Sequence, residues 1–205
     1  MSYTTVRGEA ESEFIEKKSR FIGQVRPVPD EAEAMRFVEK VRAKYPDASH
    51  NVWAYNLRQG RCRCSDDGEP SGTAGQPALD ALQKAGVEDA VVVVTRYFGG
   101  ILLGAGGLVR AYSRAARDAV NEAGVCEASL CYELRFSVDY GLYGKVERLL
   151  PAHHAELLDT SFASDVTLTV RLRAERREAL TAALVELTAG RCKVETTGEC
   201  WLDLP

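Results

Sequence analysis

Residues 91–108 read VVVVTRYFGGILLGAGGL, and this stretch decides how the first half of the chain folds. The valines at positions 91–94 are apolar on both faces of a strand, which is typical of a strand buried in the centre of a sheet. The apolar glycine segment 99–107 predicts a loop, because glycine adopts turn conformations that other residues avoid. The loop leads into a helix predicted over residues 108–123, with Gly124 as its stop.

Shorter elements precede this segment and are predicted from their periodicity. Ala34, Phe37, Val38 and Val41 recur at helical spacing after Asp30, whose carboxylate is placed to cap a helix. The other predicted elements are an edge strand at 4–9, strands at 21–25, 51–57 and 61–64, and a short helix after the turn-rich residues 65–75. Strands and helices are therefore mixed along the first part of the chain.

The pattern restarts after residue 130. Strands are predicted near 134–138, 155–161 and 166–173, helices near 142–149 and 180–187, and a last strand that begins at Cys192 and Val194. The order strand-helix-strand-strand-helix-strand is the split βαβ, or ferredoxin-like, motif, with both helices on one face of the sheet. We therefore predict an α+β protein of two domains, residues 1–130 and 131–205.

The charge balance excludes one class of nucleic-acid-binding protein. The chain of 205 residues carries 26 Lys and Arg against 30 Asp and Glu, a net charge of −4. A protein that coats nucleic acid through its bulk charge is strongly basic. Any nucleic-acid site must therefore be a local patch.

The sequence also argues against a membrane or secreted protein. Its longest apolar run is the length of a strand, well short of the roughly 20 residues that a helix needs to cross a bilayer. The polar, acidic residues 1–16 predict no signal peptide. The six cysteines are predicted to be reduced, and the lone C-x-C of Cys62 and Cys64 does not match the paired C-x-x-C units of a structural zinc site. We expect a cytoplasmic protein.

Three stretches together resemble the motifs of the IMPACT family. They are KSRFI at 18–22, SDDGEPSGTAGQP at 65–77, and VTRYFGG at 94–100 running on to LVRAY at 108–112, with His50, Trp53 and Ala54 in the positions that the family pattern gives them. The resemblance covers roughly residues 1–125. The split βαβ tail is similar to the extra domain of the bacterial, YigZ-like branch of the family.

The resemblance carries expectations about fold and partners. It implies an N-terminal domain with the α+β fold shared by GHMP kinases and a ribosomal protein domain. It also implies a tail similar to the ferredoxin-like domains of elongation factor G. Both comparisons point to RNA or the translation machinery. We predict no catalytic residue, no cofactor and no bound metal.

The glycine loop is the first candidate binding site. Gly104, Gly106 and Gly107 lie just before the predicted helix, where backbone N–H groups and the helix dipole favour a phosphate. Arg96 and Arg110 would add charge-assisted hydrogen bonds. The loop has no Lys, Ser or Thr in Walker position, so nucleotide hydrolysis is not predicted. Two interpretations are open, an anion site and a purely structural turn.

Two groups of basic residues are candidates for contacts with nucleic acid. Arg110, Arg114 and Arg117 recur at helical spacing and predict a basic ridge on an exposed helix face. On the open face of the second sheet, the candidates are Arg135, Arg171, Arg173 and Lys193. A solvated face without a ligand is the alternative for such runs of charge. The tail sheet lacks the exposed aromatic residues on which RNA-recognition domains stack bases.

The acidic turn contains Asp66, Asp67 and Glu69. Carboxylates suit Mg²⁺ or Ca²⁺, but the sequence shows no second carboxylate cluster to complete the coordination. The alternatives are an Asx-turn, or ion pairs with Arg96, Arg110 or Arg114, and the ion pairs are favoured.

Two functional hypotheses follow. In the first, a non-enzymatic binding protein engages RNA, the ribosome or a translation factor through an anion-binding patch. In the second, an enzyme binds a phosphorylated or otherwise anionic small molecule in a cleft lined by His50, Asp66, Asp67 and the glycine loop, with Thr73 in the same motif. A third alternative is a protein-interaction module in which the family motif is purely structural.

Overall fold

The computed structural model describes residues 2–58 and 60–202. They divide into two compact units, Tyr3–Glu127 and a second unit that begins at Ala128 and takes in Ser2. The fold is mixed α and β with two sheets, as the sequence predicts. No helix among these residues is both long and apolar enough to cross a membrane.

The first unit is built on one antiparallel sheet. Its elements are β1 (Ser2–Val6), β2 (Ala10–Glu16), β3 (Ser19–Pro27), α1 (Glu31–Lys44), β4 (His50–Leu57), β5 (Arg61–Ser65), α2 (Gly75–Lys84), β6 (Ala90–Tyr97) and α3 (Ala105–Ala123). The strand order of the sheet is β2-β3-β6-β4-β5. The strand that carries the four valines, β6, therefore lies in the centre, and all four valines are fully buried. This confirms the prediction of a central buried strand.

Helices cover both faces of this sheet. One core joins α2 and α3 to the residues of β3, β4 and β6 that face them, and a second core joins α1 to the opposite face. Helix α3 approaches the sheet closely at Gly23, where an added Cβ would lie 2.3 Å from the carbonyl oxygen of Ala115. Helix α1 begins as predicted, because the Asp30 carboxylate accepts a hydrogen bond of 2.8 Å from the N–H of Glu33.

Two predicted boundaries in this unit are wrong, and one strand was not predicted. The first strand ends at Val6, and a separate strand, β2, follows at Ala10–Glu16. Helix α3 begins at Ala105, so Gly106 and Gly107 belong to its first turn. The low helix propensity of glycine costs little there, because the first N–H groups of a helix have no partner within the helix.

The second unit has the predicted split βαβ order. Its elements are β7 (Val125–Val138), α4 (Tyr140–Ala152), β8 (Glu156–Phe162), β9 (Val166–Arg173), a 3-10 turn (Ala174–Arg176), α5 (Arg177–Leu187) and β10 (Glu195–Leu202). Strands β8 and β10 flank the pair β9-β7. Residues of α4 and α5 share one core with the inward residues of the sheet.

The last strand begins later than predicted. Cys192 and Val194 precede β10, which starts at Glu195. The N–H of Cys192 donates to the hydroxyl of Thr188 at 3.1 Å, and Cys192 is buried against the helices. The prediction rested on two apolar residues separated by one polar residue. A buried loop can show that short pattern as readily as a strand can.

Candidate anion-binding site

The turn between β2 and β3 exposes two lysines. Glu16 and Ser19 are paired across the strands, so Lys17 and Lys18 form a two-residue hairpin loop. Both have left-handed backbone conformations, with φ of 45° and 65°. Asn-Gly is the usual occupant of such a turn, because other residues are strained there. The turn therefore holds two exposed ammonium groups at a conformational cost.

The start of α3 lies beside this turn. Gly104 precedes the helix with φ of 76° and offers no side-chain cap. The first N–H with a helical partner is that of Leu108, which donates to the Gly104 carbonyl at 2.9 Å. Within the described chain, the N–H groups of Ala105, Gly106 and Gly107 have no acceptor, and together with the helix dipole they favour a bound anion.

The glycine loop and the lysine turn touch through their backbones. A Cβ added at Gly99 would lie 2.0 Å from the carbonyl carbon and oxygen of Lys18. Only glycine fits at this contact. Gly99 therefore allows the lysine turn to pack against the segment that leads into α3. Lys17 and Lys18 are not predicted as site residues from the sequence, because neither is a residue type that favours this left-handed turn.

Arginines complete the cationic group around the start of α3. A pocket of about 220 Å³ is lined by Lys17, Gly107, Arg110 and Arg114, with Glu16 and Phe14 also on its wall. Arg110 is exposed and has no ion pair with any residue that the structure describes. We call Lys17, Lys18, Arg110 and the first turn of α3 the basic surface.

The rest of the predicted basic ridge is partly neutralised. Arg114 lies 4.1 Å above the ring of Phe14, and its Nε is 3.2 Å from the carboxylate of Asp118. Arg117 lies 3.9 Å from the same carboxylate. Arg110 is therefore the ridge residue with the most available charge.

Arg96 has a different environment. Its side chain is 6% exposed, and its Nη1 donates to Oε1 of Glu69 at 2.6 Å. The hydroxyl of Tyr112 donates to the same oxygen at 2.7 Å. Burial, and next this hydrogen bond to Glu69, raises the pKa of Tyr112 above its ordinary value. The positive charge of Arg96 is thus matched within the fold, and Arg96 does not belong to the basic surface.

The acidic turn has a structural role in this arrangement. The Asp66 carboxylate accepts hydrogen bonds of 2.9, 3.0 and 2.8 Å from the N–H groups of Gly72, Ala74 and Gly75. Burial raises the pKa of Asp66, but these three bonds outweigh it, so its pKa lies below the ordinary value. Asp66 thereby closes the loop over the start of α2.

The neighbouring groups of this turn are also satisfied. Asp67 accepts hydrogen bonds of 2.8 Å from Arg42 and 2.7 Å from the N–H of Asn51. The Thr73 hydroxyl donates to the Pro70 carbonyl at 2.6 Å. Of the arginines predicted to pair with this turn, only Arg96 does so, since Arg42 takes the other place. Among the described residues, no group of three or more His, Cys, Asp and Glu side chains is placed to hold a metal ion.

The candidates on the tail sheet are mixed with carboxylates. Strand pairing places Arg171 opposite Glu133 and Glu156, and its guanidinium lies 2.7 and 3.7 Å from them. Arg135 is paired across the sheet with Glu195. Lys193 is exposed beyond the end of the sheet, and Arg173 lies opposite Cys131. The register therefore interleaves positive and negative charge on this face.

Comparison with known proteins identifies the two parts of the chain. Residues 17–120 match the Impact N-terminal domain, and residues 136–191 match a domain of unknown function, DUF1949. The chain is 38% identical to "IMPACT family member YvyE" of Bacillus subtilis, over 95% of this chain and 90% of that protein. It is 35% identical to "IMPACT family member YigZ" of Escherichia coli, over 85% and 87% of the two chains.

More distant relatives and a solved structure agree. "Protein IMPACT" of Xenopus laevis is 34% identical over 48% of this chain and 32% of its own length. A crystal structure described as that of a hypothetical protein is 32% identical, with a TM-score of 0.66, and the match covers 96% of this chain and 98% of the other. Both matched domains and the near-complete overlap with the bacterial proteins show that this chain belongs to the IMPACT family.

Proposed function

We propose that this protein is a non-enzymatic binding protein that holds single-stranded RNA by its phosphates at the basic surface. The observation that carries the proposal is the exposure of Lys17, Lys18 and Arg110 around an uncapped helix start. Within the described residues none of the three forms an ion pair. Their charge is available to a ligand, in a chain whose net charge is −4.

The chemistry of the basic surface suits a phosphodiester. Free N–H groups at a helix start donate hydrogen bonds to phosphate oxygens, and lysine and arginine side chains release the counterions that condense on RNA. The resemblance to the IMPACT family implies folds shared with a ribosomal protein domain and with elongation factor G, and this favours RNA or the ribosome as the source of that phosphate. The link to translation rests on that resemblance.

The enzyme hypothesis receives less support from the geometry. It requires carboxylates or nucleophiles that face a cleft. Asp66 and Asp67 instead accept hydrogen bonds from the backbone and from Arg42, so both are committed to the fold. His50 and Gly104 line an open pocket, and the one carboxylate of the acidic turn on its wall, Glu69, is paired with Arg96.

Charge reversal tests the proposal directly. The variants Arg110→Glu and Lys17→Glu should each weaken binding of a fluorescent 12-nucleotide RNA by about tenfold or more at 50 mM salt, because each turns an attraction for phosphate into a repulsion. Binding is measured by fluorescence anisotropy, and the melting temperature is measured alongside.

A matched control variant separates the effect of where the charge is reversed from the effect of the change in net charge. Arg36 on α1 is 68% exposed and pairs with Glu33, and α1 covers the opposite face of the sheet from α3. Arg36→Glu makes the same change in net charge and should leave RNA affinity within about twofold of the parent protein. Equal losses in Arg36→Glu and Arg110→Glu would refute a localised site.

A further inference from the structure

A mostly apolar pocket lies next to the basic surface. It has a volume of about 460 Å³, which falls in the range of small-ligand sites. Its apolar wall includes Pro70, Phe98, Leu102, Leu103 and Leu108. Phe98 is 49% exposed and Leu102 is 81% exposed, so the pocket opens to solvent through large apolar groups. Contiguous exposed apolar surface is a common feature of ligand-binding grooves.

Both the backbone and the ring of Phe98 have partners in this wall. Its N–H donates to the Ser49 hydroxyl at 3.0 Å. The guanidinium of Arg96 lies 5.5 Å from its ring centroid and 5.5 Å from that of Phe21, and Glu69 fixes the guanidinium in turn. A half-exposed aromatic ring with a buried cation behind it is a pre-organised platform for stacking.

Polar groups are available at the floor of the pocket. His50 Nδ1 lies 2.8 Å from the carbonyl oxygen of Asp67, and since a carbonyl only accepts, Nδ1 carries a proton. Nε2 is left for another partner, because Glu69 Oε1 is 3.9 Å away, which is too long for a hydrogen bond. Arg96, which also lines the pocket, has a buried Nε without a hydrogen-bond partner in the described chain.

The pocket and the basic surface share the start of α3. Gly104 and Ala105 line the pocket, and the free N–H groups of α3 begin at Ala105. A ligand that fills both places therefore joins a flat, apolar group with hydrogen-bonding edges to an anion. This charge complementarity favours a nucleotide over an uncharged peptide side chain.

We infer that the pocket binds one unstacked nucleobase of the RNA strand whose phosphate lies on the basic surface. The base stacks on Phe98, its edge hydrogen-bonds to Nε2 of His50, and the adjacent phosphate accepts from the first turn of α3 and from Arg110. This inference rests on the proposed function and deepens it. It makes single-stranded RNA the ligand, because the bases of a duplex are stacked and unavailable.

Removal of the stacking ring tests the base site. Phe98→Ala should weaken binding of a 12-nucleotide oligoadenylate by about tenfold, the usual effect of losing one base–aromatic stack. The same variant should bind an abasic strand of equal length and charge as well as the parent protein does. Phe162→Ala is the matched control, since Phe162 is 60% exposed and belongs to the other unit. It should change neither affinity.

The two proposals fail in different ways. If Arg110→Glu weakens both strands while Phe98→Ala weakens neither, the basic surface stands and the base site is overturned. If Phe98→Ala weakens both strands equally, the ring acts on the fold and the base site is again overturned. If Arg110→Glu changes nothing, the proposed function itself fails.

A mononucleotide provides a second and site-specific readout. The protein has three histidines, so their ring protons give a simple NMR spectrum. Titration with adenosine 5′-monophosphate should shift the His50 signal, identified by its loss in His50→Gln, and should leave the signals of His153 and His154 in place. Adenosine should require a higher concentration for the same shift, because it lacks the phosphate. No shift of the His50 signal at 10-millimolar concentrations, on the order of the weakest useful affinity, would contradict the base site.

Discussion

Arg96 and Arg110 belong to the same motif stretch and have opposite environments. Arg96 is buried between two aromatic rings and is neutralised by Glu69, whereas Arg110 is exposed without a carboxylate partner among the described residues. The sequence gives no means of separating them, because both were predicted to face an anion. The difference arises from β4 and β6, which bring the turn that carries Glu69 against Arg96, a contact between distant parts of the chain.

The Glu69 network should behave as a buried ion pair. Glu69→Leu should lower the free energy of unfolding by about 3–5 kcal/mol, because it leaves Arg96 buried without a counter-ion. The triple variant Glu69→Leu, Arg96→Met, Tyr112→Phe should lose distinctly less, since it leaves no unpaired polar group behind. Urea unfolding followed by circular dichroism measures both. A triple variant as unstable as the single one would show that the charges themselves are required by the fold.

Asp66 should confer a pH dependence on stability. Its folded-state pKa lies below its ordinary value of about 3.9, so its contribution is full above that value and is lost as pH falls through the folded-state pKa. Asp66→Asn should cost about 1–3 kcal/mol at pH 7, because an amide cannot accept all three N–H groups. The gap between the two proteins, measured by urea unfolding, should narrow below about pH 4. A constant gap between pH 7 and pH 3 would contradict this role for the charge.

At the scale of elements, periodicity predicted most of the fold and little of the site. The continuous valines of β6 predict a strand that is buried on both faces, and the alternation in β9 predicts a strand that is buried on one face. Both strands were therefore predictable. Strand β2 was missed because four of its seven residues are exposed and three are glutamates, as an edge strand allows. With β2 missing, the turn after it was invisible, and so were Lys17 and Lys18. The candidate site therefore emerges from a contact between that turn and Gly99.

The lysine turn should lower the stability of the fold and raise its affinity for RNA. Replacing Lys17 and Lys18 by Asn and Gly should stabilise the protein by about 1 kcal/mol, because both positions have left-handed backbones that Asn-Gly adopts readily. The same variant should bind RNA more weakly, since two cations are removed from the basic surface. Thermal melting and anisotropy measure the two effects.

A second variant of the turn separates charge from strain. Lys17→Gln with Lys18→Gln removes both charges and keeps two side chains in the strained conformation. It should lose as much RNA affinity as the Asn-Gly variant and gain no stability. If the two variants have the same stability, the turn is not strained and the proposed trade-off is absent.

At the scale of the whole molecule, the position of the available positive charge depends on which basic residues are paired with carboxylates, and the composition does not show this. The chain is acidic, yet Lys17 and Arg110 line one pocket at the turn and helix start of the first unit, and neither has an ion pair among the described residues. The basic residues of the tail sheet were predicted to extend an RNA surface. The sequence could not show that strand register places Glu133, Glu156 and Glu195 opposite them. The electric field of these tail-sheet cations is therefore weak at a distance, because opposite charges a few ångströms apart cancel.

The slope of RNA affinity against salt concentration should report how many cations contact phosphates. If Lys17, Lys18 and Arg110 each neutralise one phosphate of a single strand, the logarithm of the affinity should fall with the logarithm of the salt concentration with a slope of roughly −2. Arg110→Gln should reduce the size of that slope by about 0.7. The paired tail variant Arg135→Gln, Lys193→Gln removes two exposed charges from the other unit and should leave the slope unchanged. Anisotropy titrations from 50 to 200 mM salt measure the slope, and a smaller slope in the tail variant would place the second sheet on the RNA after all.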